Sequence, residues 1–318
     1  MPQRLPKARH LRIPRPPPRA EPRQPARHRA GTGNRAGFFC HLADPVPFWL
    51  PLLVGLGGRI APMRAARAMA ELVSRPRGRN PTQPWELAPG LASREVELRP
   101  GLFARAWGES GPLVLALHGW RGRTTQFNPL ATALGARGFR TIALDLPGHG
   151  RSAGERATPR LLADLLNELS PTIGPVHAAV GHSFGGAAIG AAIASGFKAS
   201  RLVLVSSPTR VSRLPFIYAK ALGLPPRAMT HFAQILDGMA GRPVAELDLV
   251  SSGPKCEIPA LLVHDRGDAV IPYRDAEVLA AAWPALKTIS TDGLGHRDIL
   301  ADPSVVKAIV EFIVSDSA

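Results

Sequence analysis

The sequence predicts an α/β fold, a mostly parallel sheet of about eight strands covered by helices. Two observations predict it. The continuous apolar run at residues 113–117, and short aliphatic-rich stretches at 140–144, 176–180, 202–205 and 260–264, have the length of strands in a buried parallel sheet. Between them lie stretches with helical apolar spacing, such as 127–136 and 161–169, and strands that alternate with helices join in parallel through crossovers.

The elements follow in order. Residues 95–98 and 102–107 read as an opening hairpin around Pro100-Gly101. The strand at 113–117 is followed by the helix at 127–136, which stops at Gly138, and by the strand at 140–144. After the helix at 161–169 come the strand at 176–180 and an Ala-rich helix to about Ser195, then a strand at 202–205. Strands at 260–264 and 286–290 and a last helix from about Ser304 to Val314, with Asp302-Pro303 before it, complete the set. Residues 209–256 break the rhythm with short amphipathic pieces and turns at Pro225-Pro226 and Gly241. They read as a small helical cap over the C-terminal edge of the sheet, where open α/β folds bind ligands.

The ends differ from this core. The chain has 318 residues and a formal charge of +15, of which residues 1–35 carry +9. That Arg/Pro-rich stretch, with eight prolines, has too little apolar surface to order itself and reads as a solvated tail. It lacks the aromatic side chains that stack on bases, so no nucleic-acid partner is expected. Residues 45–57 form an apolar patch with Phe48, Trp49, Leu50 and Leu53. A basic run before an apolar patch imitates a secretion signal, but the prolines and the following Arg59, Arg64 and Arg67 argue against one. Residues 1–62 are therefore expected to be a dispensable tail, with Met63 an alternative start, 63–92 a helical stretch and linker, and 93–318 the folded domain. Cys40 and Cys256 make neither a disulfide framework nor a metal motif, which fits a reducing, cytoplasmic setting. No run of 18 apolar residues marks a transmembrane helix.

The most informative stretch is Gly181-His182-Ser183-Phe184-Gly185. A strand before it and a helix after it make it a nucleophile elbow, a sharp turn that lifts the Ser183 hydroxyl above the sheet. Both glycines sit where a Cβ would collide with neighbouring backbone. The helix start offers unpaired N–H groups to a developing negative charge. Two later loops supply partners: Asp265-Arg266-Gly267-Asp268 after the strand at 260–264, and Asp292-Gly293-Leu294-Gly295-His296 after the last strand.

With His118-Gly119-Trp120 and Asp145-Leu146-Pro147-Gly148-His149-Gly150, these motifs make residues 113–312 resemble the α/β-hydrolase superfamily. The likeness is strongest to small bacterial esterases, thioesterases and carbon–carbon-bond hydrolases. The resemblance implies Ser183 as nucleophile, His296 as general base and Asp268 as the orienting acid, with Asp265 as the rival acid. It also implies backbone N–H groups of Trp120 and Phe184 as the oxyanion hole. His118, His149 and His182 are expected to be structural. Trp120, Phe127, Tyr218, Phe232 and Trp283 are candidates for an acyl pocket, core packing being the alternative for the last four. The expected activity is hydrolysis of carboxylic esters or thioesters on a small-molecule acyl substrate, with no cofactor or metal. Carbon–carbon-bond hydrolysis and an idle binding module of the same fold are the alternatives.

Overall fold

The computed structural model describes residues 48–315. The tail at 1–35, Cys40 and the start of the apolar patch lie outside them. Eight strands form one sheet: β1 (Ser93–Arg99), β2 (Leu102–Trp107), β3 (Leu113–Leu117), β4 (Arg140–Leu144), β5 (Val176–His182), β6 (Leu202–Val205), β7 (Ala260–Asp265) and β8 (Lys287–Thr291). Their spatial order is β1-β2-β4-β3-β5-β6-β7-β8. The pairs β1/β2 and β2/β4 are antiparallel, and from β4 to β8 every pair is parallel.

The continuous apolar run has a direct cause. Successive strand side chains point to opposite faces, and in β3 Leu113, Leu115 and Leu117 enter one core while Val114 and Ala116 enter the other. Helices α3 (Asn128–Gly135) and α10 (Pro303–Val314) cover the second face. The first is covered by α4 (Pro159–Ile173), α5 (Phe184–Ala194) and α9 (Arg274–Ala282). Capping sets two of these starts. Thr158 Oγ1 accepts from the Leu161 N–H ahead of Pro159, and Asp302 accepts from the Ser304 and Val305 amides ahead of Pro303. In both, the side chain satisfies a helix-end donor and proline occupies the position that needs none.

Between β6 and β7 the chain forms α6 (Arg213–Ala221), α7 (Pro226–Ala240) and the short α8 (Leu249–Ser252). The N-terminal part departs from the sequence reading. Residues 50–60, grouped there with the tail, form helix α1 (Leu50–Ile60), and α2 (Pro62–Ser74) follows after Ala61. Both join the cap: Ala66, Met69 and Ala70 of α2 share a core with Ala219, Leu222, Phe232 and Leu236, and Leu50 and Val54 of α1 pack against it. Pro51 is harmless in the first turn, and this packing outweighs the weak helix propensity of Gly55, Gly57 and Gly58. No helix among the described residues is long and apolar enough to cross a membrane.

Candidate active site

Ser183 stands between β5 and α5 with φ 53° and ψ −121°. This backbone region costs a side-chain-bearing residue about 1–3 kcal/mol and persists only where its surroundings enforce it. The Ser183 N–H donates to the Val205 carbonyl at the end of β6 (2.8 Å), and its own carbonyl accepts from Gly186 (3.0 Å). A Cβ on Gly181 would lie 2.3 Å from Gly186 Cα, and one on Gly185 2.2 Å from the Leu117 carbonyl oxygen. Only glycine lets the turn close this tightly against β3.

Two other strand ends bring their loops beside each other. Asp268, after β7, accepts the His296 Nδ1–H on Oδ2 at 2.7 Å. Its Oδ1 accepts from the Val270 and Ile271 amides, each at 2.8 Å. Burial disfavours the carboxylate, but the His296 hydrogen bond and charge and the two amides outweigh it, holding Asp268 below the usual carboxylate range. With Nδ1 committed as donor, Nε2 of a neutral His296 carries the lone pair.

Asp265 is placed differently. Its Oδ1 accepts from the Gly267 amide at 2.8 Å, and its Oδ2 from the Thr291 hydroxyl at 2.7 Å and the Leu294 amide at 3.0 Å. These donors outweigh burial and hold its carboxyl low too. Asp265 ties the end of β7 to the loop carrying His296; Asp268 touches the imidazole.

Three buried histidines hold the surrounding loops. A carbonyl can only accept, so each tautomer follows from its partners. His118 donates from Nδ1 to the Gly119 carbonyl (2.8 Å) and accepts at Nε2 from the Leu146 amide (3.3 Å). His149 donates from Nδ1 to the Pro147 carbonyl (3.1 Å) and accepts at Nε2 from the Arg121 amide (3.0 Å). The loop after β3 is thereby tied to the loop after β4. His182 donates from Nε2 to the His296 carbonyl at 2.8 Å. All three favour the neutral form. Burial, then the neighbouring His149, puts His118 well below its usual value. Burial brings His149 to about 4, and burial with His296 brings His182 to about 3.

The tied loop carries Gly119 and Trp120 against the elbow. A Cβ on Gly119 would sit 3.0 Å from Ser183 Cβ. The Trp120 ring meets Phe184 edge-on at 5.3 Å and His149 at 5.8 Å. Phe184 is the first residue of α5, where the N–H has no intrahelical acceptor.

Ser183, Trp120 and Phe184 line one cavity of about 370 Å³. Its wall is mostly aliphatic, from Val211, Leu214, Leu236 and Met239 of the cap and Leu72 and Val73 of α2. Of the other aromatic candidates Tyr218 lines the cavity. Phe127, Phe232 and Trp283 are buried in the three cores. Sequence reasoning missed the wall supplied by α1 and α2, and the four arginines that line the cavity, Arg75, Arg77, Arg121 and Arg160. No local pattern marks them, because the fold collects them from three segments.

An eight-stranded, mostly parallel sheet with a serine on the turn after the fifth strand, and an aspartate and histidine on loops after the last two, is the architecture of an α/β hydrolase. The model of the alpha/beta hydrolase family matches residues 113–309, and the chain belongs to that family. A human serine hydrolase-like protein is 35% identical over 107 residues, covering 31% of this chain and 52% of its own length, so the chain matches about half of that relative. An uncharacterized protein of Mycobacterium tuberculosis is 28% identical over 268 residues, 64% of this chain and 75% of that one. Among solved structures, the monoacylglycerol lipase of Paleococcus ferrophilus superposes with a TM-score of 0.54 at 22% identity, over 68% of this chain and 99% of its own.

Proposed function

We propose that the protein is a serine hydrolase that cleaves carboxylic esters or thioesters through an acyl-enzyme. The observation that carries this is the 2.7 Å Asp268–His296 bond formed beside a strained serine elbow on an apolar cavity. Ser183 Oγ attacks the acyl carbon as His296 Nε2 takes the hydroxyl proton. The oxyanion meets the N–H groups of Phe184 and Trp120, and Asp268 stabilises the imidazolium. Collapse breaks the bond to the alcohol or thiol, which leaves with the proton from His296. Water then gives a proton to His296 and attacks the acyl-enzyme. The new tetrahedral adduct breaks its bond to Ser183 Oγ, which recovers that proton, and the free acid is released. The aliphatic wall suits an acyl chain.

The test is a hydrolysis screen over nitrophenyl esters and acyl thioesters of increasing chain length, with fluorophosphonate labelling of the wild type and Ser183→Ala. Labelling and turnover should both depend on Ser183. Turnover of a true substrate by Ser183→Ala would overturn the acyl-enzyme mechanism.

A further inference from the structure

Helix α1 has two unlike faces. Leu50 and Val54 pack inward on the cap core. On the other side Leu52, Leu53, Leu56 and Ile60, at three- and four-residue spacing, are 70%, 58%, 58% and 75% exposed. Phe48 and Trp49, in the turn before the helix, are 87% and 49% exposed. Apolar side chains exposed singly are ordinary, but six on one short segment make a patch that marks an interaction surface.

The charge around the patch has one sign. From residue 48 to residue 70 the sequence holds no Asp or Glu. Arg59, Arg64 and Arg67 are exposed there, and none forms an ion pair among the described residues. An apolar helix face flanked by arginines, with a tryptophan at its edge, is the composition that lies in the plane of a membrane interface. The arginines favour anionic lipid over neutral lipid. A second copy of the chain suits this face less well, because it would bring two patches of the same sign of charge together with no acidic side chain between residues 48 and 70 to pair them.

Position adds a second argument. Leu50, on the inner side of the same helix, lines the cavity that holds Ser183, together with Leu72 and Val73 of α2. The patch and the cavity are thus the two sides of one short helix.

We propose that α1 docks the protein on an anionic lipid surface, its outer leucines among the acyl chains and its arginines at the headgroups, with the apolar cavity directly behind the docked helix. Docking does not depend on the acyl-enzyme reading, since it is read by binding alone.

The experiment uses the full chain with vesicles of phosphatidylcholine, alone or mixed with phosphatidylglycerol, and follows flotation in dilute buffer and in high salt. The wild type should prefer the mixed vesicles and stay partly bound in high salt, because salt screens the charges but leaves the apolar contact. Leu52→Asp/Leu56→Asp should weaken binding at least tenfold. Both positions are exposed, so the circular dichroism spectrum and the melting temperature should stay close to those of the wild type and report an intact fold. Phospholipid brominated on its acyl chains should quench the wild-type tryptophan fluorescence, and Trp49→Phe should remove most of that quenching. Binding that vanishes in high salt, without quenching, would assign adhesion to charge alone and overturn the proposal. Undiminished binding of the double variant would do the same, as would a wild-type dimer that this variant turns into a monomer.

Discussion

His182 and His296 are joined twice: the Nε2–H of His182 donates to the His296 carbonyl at 2.8 Å, and the two rings lie 4.8 Å apart, tilted by 46°. The residue before the proposed nucleophile thus holds the loop of the proposed base. A neutral hydrogen bond of this kind contributes about 0.5–1.5 kcal/mol, the scale of a tenfold rate change. His182→Ala should lower kcat roughly tenfold with little change in KM, since positioning rather than binding is lost. Steady-state kinetics together with the melting temperature check this. An unchanged kcat would show that the His296 loop holds itself.

The two aspartates separate chemistry from bracing. Asp268→Asn should leave the fold intact and cost on the order of 10⁴ in kcat, because the amide favours the wrong imidazole tautomer. Asp265→Asn loses a charged acceptor for three donors and should destabilise by about 1–3 kcal/mol, with kcat nearly retained. Urea unfolding and kinetics on both variants decide the matter, and the reverse pattern would exchange the two roles.

Trp120 borders Ser183 within the cavity. Trp120→Ala should shift the chain-length preference toward longer acyl groups, as read from kcat/KM over a nitrophenyl ester series. A uniform fall at every length would mean that the ring supports its loop and does not shape the pocket.

The neutral histidines give stability an acid limit. His149 and His182 titrate at about 4 and about 3 in the folded state, with His118 also well below its usual value, against about 6.5 unfolded. The unfolded chain therefore binds more protons below that pH. Stability from these groups is whole above about pH 6.5 and falls as pH drops toward the folded values, by up to about 1.4 kcal/mol per pH unit for each. Asp145 and Asp248, raised by burial, act in the opposite sense as they protonate. Unfolding free energies should fall between neutral pH and about pH 5. His149→Gln should flatten that slope.

Removing α1 should cost more than its sequence suggests. A chain begun at Met63 loses the half-buried Leu50 and Val54 from the cap core's edge, and a half-buried side chain of this kind contributes about half of the roughly 1.5–3 kcal/mol of full burial. Its melting temperature should fall by several degrees, and its preference among long acyl chains should change. Unaltered values for both would restore the dispensable tail expected from sequence.

That last case shows where sequence reading reached its limit. The strands at 113–117, 140–144 and 202–205 were legible to the residue, because burial on both faces makes such stretches short and rich in aliphatic side chains. Helix α9 left a weak trace, with Ala276 and Leu279 its only buried side chains. Helix α1 carries three glycines and a proline, and its packing against α2 and α7 offsets their weak helix propensity. Ser183, Asp268 and His296 could be picked out because each follows a strand and the resemblance to α/β hydrolases prefers Asp268 to Asp265. The tie from His182 to the His296 loop, and the four arginines that line the cavity, exist only in three dimensions.

The family match begins at residue 113, yet Leu50, Leu72, Val73, Arg75 and Arg77 of the cavity wall precede it. The cavity wall and the three candidate chemical loops therefore come partly from separate stretches of one polypeptide. A change in the leading stretch would reshape the cavity while leaving the strands and those three loops as they are.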